Sequence, residues 1–409
     1  MKKFFALLLS LAMVLALVAC GQKETTTPDD TQTPDDTTPE VEYKIAMITD
    51  YGDITDQSFN QTTYEACKAF AEDNSIEFSY FKPAGDNTAD RVAMIEKAVN
   101  DGFNVIVMPG YAFGGAIVEA APEFPDVKFI ALDVAAGDLL ETAVAKAGEA
   151  YDYTPENWDL NKYVDMSNVY CAVYQEELCG YMAGYAAVKL GYKNLGFLGG
   201  MSVPAVVRYG YGFVQGVDAA AADLGLTDVK LNYIYGGQFF GDADITAVMD
   251  TWYQGGTEVV FACGGGIYTS AVDAAKKANA KVIGVDVDQA GVIAKYAGVD
   301  GMTVTSAMKG LYPATYDTLT DVIVNGNWEK YVGKIETLGL VSGTDPEANY
   351  VQIPMGDGTQ WSDSFTQDDY KAMVTDMFDG KITVSNDTTK APTDFATAIT
   401  VNAQGQIKG

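Results

Sequence analysis

The residues of this sequence best placed to do chemistry are acids and a phenyl ring at the ends of short apolar runs. Residues 44–61 read KIAMITDYGDITDQSFNQ. Ile45, Ala46, Met47 and Ile48 form a continuous apolar run, the pattern of a strand covered on both faces. Asp50 follows at its carboxyl end. Gly52, Asp53, Thr55, Asp56 and Ser58 read as a turn, with Ser58 or Asp56 able to cap a helix that begins near Phe59. Ligands of open α/β sheets sit outside the carboxyl ends of strands and close to helix N-termini. Asp50, Phe59 and Asn60 are therefore expected to face a cleft. The competing reading is a loop whose polar residues only turn the chain and cap the helix.

Two further acids end apolar runs: Asp133 after VKFIAL, and Asp286 after KVIGV. Asp286 and Asp288 could form the acid pair of a glycosidase, although such acids more often hold hydroxyls or stabilise a turn. Glycines 264–266 would let a backbone approach a phosphate. They lack the Lys-Ser/Thr of a P-loop, and no dinucleotide fingerprint accompanies them, so a tight turn is the preferred reading.

These residues must be positioned by strands alternating with helices. Apolar runs near 76–80, 105–108, 127–133, 168–173, 194–198, 230–235, 259–263, 281–285 and 301–306 are separated by segments with helical spacing. That is the pattern of βαβ units and parallel sheets. It occurs twice in succession, which predicts two doubly wound lobes with a cleft between them. Residues 134–166 interrupt the rhythm, show no buried strand, and read as an insertion or an extended crossing segment. Residues 311–324 read as a helix returning to the first lobe. Residues 368–378 read as helical, and those from 386 onward as loop.

The chain has 409 residues, 48% of them hydrophobic and 20% charged, with a formal net charge of −30 and no histidine. The charge argues against nucleic-acid partners. The lack of histidine removes Ser-His-Asp and Cys-His catalysis and the commonest zinc ligand. No metal and no cofactor is called for. Cys67 and Cys263 lie in apolar contexts as packing residues. Cys171 and Cys179 flank a strand–helix junction, and spacing alone leaves open whether they pair.

Residues 1–19 carry Lys2 and Lys3 ahead of an apolar run too short to span a bilayer, the pattern of a signal peptide. The run ends in Leu17-Val18-Ala19-Cys20, which resembles the lipobox of bacterial lipoproteins. That resemblance implies lipidation of Cys20 and an anchor on the extracytoplasmic face of the cell membrane. Residues 20–40, rich in Thr, Pro and Asp, are expected to be a disordered tether.

Five segments in order carry a wider resemblance: TDYGDITDQSFNQ from Thr49, GGMSVPAVVRYGYGFVQGV from Gly199, CGGG from Cys263, VIGVDVDQ from Val282 and TSAMKG from Thr305. Together they resemble the basic membrane lipoprotein family, the substrate-binding lipoproteins of ATP-driven nucleoside importers. The resemblance implies a type I periplasmic-binding-protein fold, α/β, with two Rossmann-like lobes joined by a hinge. It places residues 41–167 and 286–330 in the N-terminal lobe, 168–285 in the C-terminal lobe, and 331–409 in an extension.

The implied ligand is a nucleoside, usually a purine nucleoside. The implied contacts are Phe59 and Phe239 on the base, with Phe240 competing for the second place. Asp286 and Lys309 meet the ribose, and Asp50, Asn60 and Asp133 make polar contacts. The implied mechanism is capture without bond breaking by a monomer. The lobes would close about hinges near 133–167, Asp286 and the segment after Leu311, then dock on a permease that works with an ATPase. Three other readings stand beside it: a sugar or signalling ligand on the same fold, a sensor subunit of a membrane receptor, and a surface hydrolase relying on carboxylates alone.

Overall fold

The computed structural model describes residues 42–408. The expected signal peptide, Cys20 and the tether lie outside the described residues.

The first part of the chain runs β1 (Lys44–Ile48), α1 (Phe59–Asn74), β2 (Glu77–Phe81), α2 (Thr88–Asn100), β3 (Val105–Pro109), α3 (Gly114–Ala120), β4 (Lys128–Leu132), α4 (Ala136–Lys146), the single turn α5 (Leu160–Tyr163) and β5 (Val169–Tyr174). The middle part holds α6 (Glu176–Lys189), β6 (Asn194–Gly199), α7 (Pro204–Asp223), β7 (Lys230–Tyr235), α8 (Ala243–Gln254), β8 (Val259–Cys263), α9 (Tyr268–Ala278), β9 (Lys281–Asp286), α10 (Ala290–Ala297) and β10 (Thr303–Lys309). The last part holds α11 (Leu311–Leu319), β11 (Ile335–Leu338), β12 (Val351–Gln352), α12 (Gln367–Phe378) and β13 (Thr400–Gln406). Strands β1, β3, β5 and β8 are buried along most or all of their length, as their unbroken apolar runs require.

Two sheets result. The first has the order β11-β5-β4-β3-β1-β2, and the second β12-β10-β9-β8-β6-β7-β13. Among the described residues, every strand pairing is parallel except β10 with β12. Alternate strand side chains are apolar on both faces of each sheet, so helices cover both faces.

Lobe membership differs from the expectation at two strands. Val169–Tyr174, expected in the second lobe, pairs with β4 in the first sheet. Thr303–Lys309, expected in the first lobe, pairs with β9 in the second. The chain therefore crosses between sheets after β5, after β10 and between β11 and β12, rather than at 133–167 or at Asp286. Helix α11 does return to the first lobe, where Tyr316 meets Phe70 edge-on and bonds Asp73. The three crossings are tied to one another: Gln175 N donates to Leu338 O at 3.0 Å, Tyr350 N to Gly339 O at 3.0 Å, and Gly310 N to Tyr350 O at 2.7 Å.

Residues 134–166 are a crossover built on α4, whose Leu139, Leu140, Ala143 and Val144 are buried. The tail is more ordered than expected. β11 extends the first sheet, β12 and β13 occupy the two edges of the second, and Tyr370 of α12 is buried and donates to Met182 Sδ. The four described cysteines are buried free thiols, so Cys171 and Cys179 do not pair. Among the described residues, no helix is long and apolar enough to cross a membrane.

Helices α6 and α7 pack backbone to backbone. A Cβ on Gly180, Gly184, Gly212 or Gly216 would overlap a carbonyl of the facing helix. Gly212→Ala should therefore force the helices apart and cost roughly 1–3 kcal/mol in urea unfolding. Gly291→Ala, in α10 with open space around it, should instead stabilise by about 0.5–1 kcal/mol.

Asp138 accepts from Ala135 N at the start of α4, and burial raises its carboxyl to about 7. A raised acid favours the fold while protonated. Its contribution is complete at acid pH and is lost as pH rises through about 7. Asp138→Asn keeps an acceptor without the charge, so it should flatten the fall in Tm between about pH 4 and pH 7.

Candidate functional site

A cavity of about 460 Å³ lies between the carboxyl ends of the two sheets. Each side is built from strand ends, where side chains leave the parallel layers. The first sheet presents Asp50 after β1, Gly110 and Tyr111 after β3, and Asp133 after β4. The second presents Val203 and Val206 at the start of α7, Phe239 and Phe240 after β7, Cys263 with glycines 264–266 after β8, Asp286 ending β9 and Lys309 ending β10. Phe59, Asn60 and Asp56 come from the start of α1. All seven ligand-contact residues expected from sequence line this one cavity. Asp288 does not; its exposed carboxylate accepts from Ala290 N at 3.0 Å, so no Asp286–Asp288 acid pair faces the site.

Asp56, not Ser58, caps α1. Its carboxylate accepts from the N–H groups of Ser58, Asn60 and Gln61 at 2.9, 2.9 and 3.1 Å, and burial still raises it to about 6. Ser58 is thereby free to donate across the cleft to Asp286 Oδ2. Asp50 Oδ1 accepts from Tyr51 N and Gly52 N at 2.6 and 2.7 Å and from Asn60 Nδ2 at 3.2 Å. Burial pushes the Asp50 carboxyl upward against the pull of those donors. Asn60 Oδ1 is buried and has no partner among the described residues, so an acceptor stands ready for a donor.

Asp286 and Asp133 both hold left-handed backbone, with φ of 64° and 60°. Aspartate tolerates this conformation better than most residues, and it turns each carboxylate out of its strand into the cavity. Asp286 Oδ1 accepts from Tyr209 OH at 3.1 Å and lies 3.8 Å from Lys309 Nζ. Lys309 Nζ is paired with Asp133 Oδ2 and lies 3.4 Å from Glu176 Oε1. It also sits 4.7 Å from the centre of the Phe59 ring. Burial works against the ammonium charge, but Asp133, Asp286 and Glu176 outweigh it and raise the lysine above its ordinary value. Burial raises Asp133 to about 6 even with Lys309 bound to it, and its Oδ1 has no partner among the described residues.

Sequence reasoning missed Glu176, Arg208, Tyr209, Tyr51 and Tyr111. Glu176 is fully buried at the first crossing and accepts from Arg208 Nε at 2.7 Å. Locally it reads as an ordinary acid in the first turn of a helix. Tyr51 and Tyr111, from the first lobe, both donate to Met201 Sδ of the second, at 3.4 and 3.8 Å. Of the two competing rings, Phe239 is partly buried against Gly200 and Gly264, where an added Cβ on Gly264 would stand 2.9 Å from it. Phe240 is 57% exposed.

Residues 43–344 match the family described as ABC transporter substrate-binding protein PnrA-like. The chain is 26% identical over 362 residues to the ABC transporter nucleoside-binding protein BmpA of Lactococcus lactis subsp. cremoris (strain MG1363), covering 84% of this chain and 90% of that one. It is also 26% identical over 311 residues to an uncharacterized lipoprotein of Pyrococcus abyssi (strain GE5 / Orsay), covering 73% of this chain and 67% of the other. Among solved structures, an ABC transporter solute-binding protein from Aeropyrum pernix K1 superposes with a TM-score of 0.60 at 20% identity, covering 86% of this chain and 90% of that one. The strand order, the cleft and these matches agree with the type I periplasmic-binding-protein fold, and the chain belongs to the PnrA-like family of ABC transporter substrate-binding proteins.

Proposed function

We propose that this substrate-binding protein captures a nucleoside, a purine nucleoside by preference, and delivers it to a membrane permease driven by an ATPase. The observation that carries the reading is the pairing of two chemistries in one cavity. Phe59 and Phe239 supply aromatic faces from opposite lobes, and Asp286 with Lys309 supplies an acceptor and a donor beside them. A base can stack on the rings at about 1–3 kcal/mol per face, while the carboxylate suits the vicinal ribose hydroxyls. Asn60 Oδ1 and Asp133 Oδ1 remain for base or sugar donors. The cavity volume of about 460 Å³ falls within the range of small-molecule sites, about 300–1,000 Å³.

The test is calorimetric titration of the domain beginning near residue 41 with adenosine, guanosine, inosine, cytidine, uridine and ribose. One-to-one binding of purine nucleosides, tighter than of pyrimidine nucleosides or ribose, supports the reading. Ribose binding as tightly as the nucleosides would sink it in favour of a sugar. The proposal includes a lipid anchor at Cys20 and an extracytoplasmic location. Cys20→Ser should move the protein from the membrane fraction to the soluble fraction. Retention of that variant on the membrane would refute the anchor.

A further inference from the structure

Strand β13 lies beyond residues 43–344, the part matched by the family, yet it packs beside the segment that supplies Phe239 and Phe240 to the cavity wall. It pairs in parallel with β7, and Ile407 N continues the ladder to Tyr235 O at 2.8 Å. The next six residues after Tyr235, 236–241, are the loop that carries Phe239 and Phe240. Lys408, just past the end of β13, packs against the start of that loop, whose Gly236 and Gly237 amides donate to Gly199 O and Gly200 O, and ties down its end. At its start, Gly237 has φ of 85° and lies so close to Lys408 O that a Cβ would overlap it. At its end, Lys408 Nζ pairs with Asp242 and lies 3.5 Å from Asp244 Oδ2.

Asp242 is the junction of the loop with α8. Its carboxylate caps the helix through Asp244 N and Ile245 N, both at 3.0 Å, and accepts from Gln238 Nε2 at 2.9 Å. Gln238 Nε2 in turn donates to Phe240 O at 2.9 Å. The Phe239 carbonyl accepts from Gly266 N at 2.9 Å, so the loop is also laid against the glycines after β8. A free loop of this length would pay conformational entropy on ordering.

We infer that β13 and Lys408 form a brace that holds the 236–242 loop so that the Phe239 ring stands ready in the cavity wall. Lys408 is a positioning residue; it acts through Asp242 and does not touch the ligand. The specificity consequence rests on the proposed nucleoside reading, because Phe239 would contact the base and not the sugar. Loss of the brace should weaken nucleosides and leave the weaker ribose interaction largely unchanged.

The experiment compares wild type with Lys408→Ala, Lys408→Arg and a chain lacking residues 400–409. The control is Lys381→Ala, which removes the same charge from an exposed pair with Asp376 and Asp379. Hydrogen exchange of residues 236–244 is followed in the protein without added nucleoside, and inosine and ribose affinities are followed by calorimetry. The brace predicts faster exchange of this loop in both variants, confined to the loop and the start of α8 in Lys408→Ala, and joined by β7 in the truncated chain, which loses the strand paired with β7. It also predicts about tenfold weaker inosine binding, recovery in Lys408→Arg and no effect in the control. Unchanged loop exchange in both variants would overturn it, as would faster exchange with unchanged inosine affinity. Failure of the wild type to bind any nucleoside would refute the cargo reading separately, while faster loop exchange would still support the brace.

Discussion

Asp286→Ala is expected to lower nucleoside affinity at least about 100-fold, equivalent to about 3 kcal/mol. Three groups converge on this carboxylate: Ser58 from the first lobe, Tyr209 from α7, and Lys309 at 3.8 Å. A hydroxyl pair entering the cavity exchanges water for an acceptor already oriented by these neighbours, so little reorganisation is needed. Truncation removes the acceptor and leaves Ser58, Tyr209 and Lys309 without it, which adds the cost of buried unsatisfied donors. Asp286→Asn separates binding from folding. Asparagine also tolerates the φ of 64° at this position and retains one acceptor oxygen, so it should lose about tenfold in affinity with a Tm close to wild type. Calorimetry together with a thermal melt reads both quantities. Wild-type affinity in Asp286→Ala would remove this residue from the site.

Lys309→Met is expected to produce the largest loss of stability, about 3–5 kcal/mol near neutral pH. Its ammonium is buried among Asp133, Glu176 and Asp286, and Arg208 reaches only Glu176 among these acids through a direct bond. Removing the lysine leaves Asp133 and Asp286 without their cation in a low-dielectric space. Burial already raises Asp133 to about 6 despite Lys309, and loss of the lysine would raise it further. An acid with a raised folded pKa gives stability at low pH that is lost as pH climbs through that value. The deficit of the variant should therefore be small near pH 5 and widen toward pH 8. Urea unfolding at both pH values measures it, and a deficit independent of pH would contradict the ion-pair explanation. Because Lys309 ends a strand of the second sheet and Asp133 follows a strand of the first, the same substitution should also shift the balance between open and closed lobes. Small-angle scattering without nucleoside would then report a larger radius of gyration.

Much of the architecture can be read from local pattern. The apolar runs of β1, β3, β4, β8 and β9 have the length and continuity of strands buried on both faces, and each is a strand. Asp50, Asp133 and Asp286 follow such runs directly, and the rule that sites form at the carboxyl ends of parallel strands is enough to bring them together. Phe59 and Asn60 follow from their place at the start of the helix after β1. For Phe239 and Lys309 the motif resemblance was needed, because nothing in their spacing distinguishes them from core residues.

What the local pattern left undecided depends on long-range pairing. Val169–Tyr174 and Thr303–Lys309 look like strands of either lobe, since a buried parallel strand carries no mark of its neighbours. Only the pairing of β5 with β4 and of β10 with β9 places them. Strand β13, TVNAQGQ, is polar and mostly exposed because it covers a sheet edge and not a core, so its sequence lacks the alternation that betrays a strand. The ion cluster of Lys309, Asp133, Glu176 and Asp286 draws on four elements separated by up to 176 residues. Charge sign and burial become meaningful for such a group only when the crossings bring it together. The chemistry available to the site was thus determined by residue types at strand ends, whereas its geometry, its cross-lobe contacts and its brace were decided by tertiary structure, because they depend on which distant backbone edges pair.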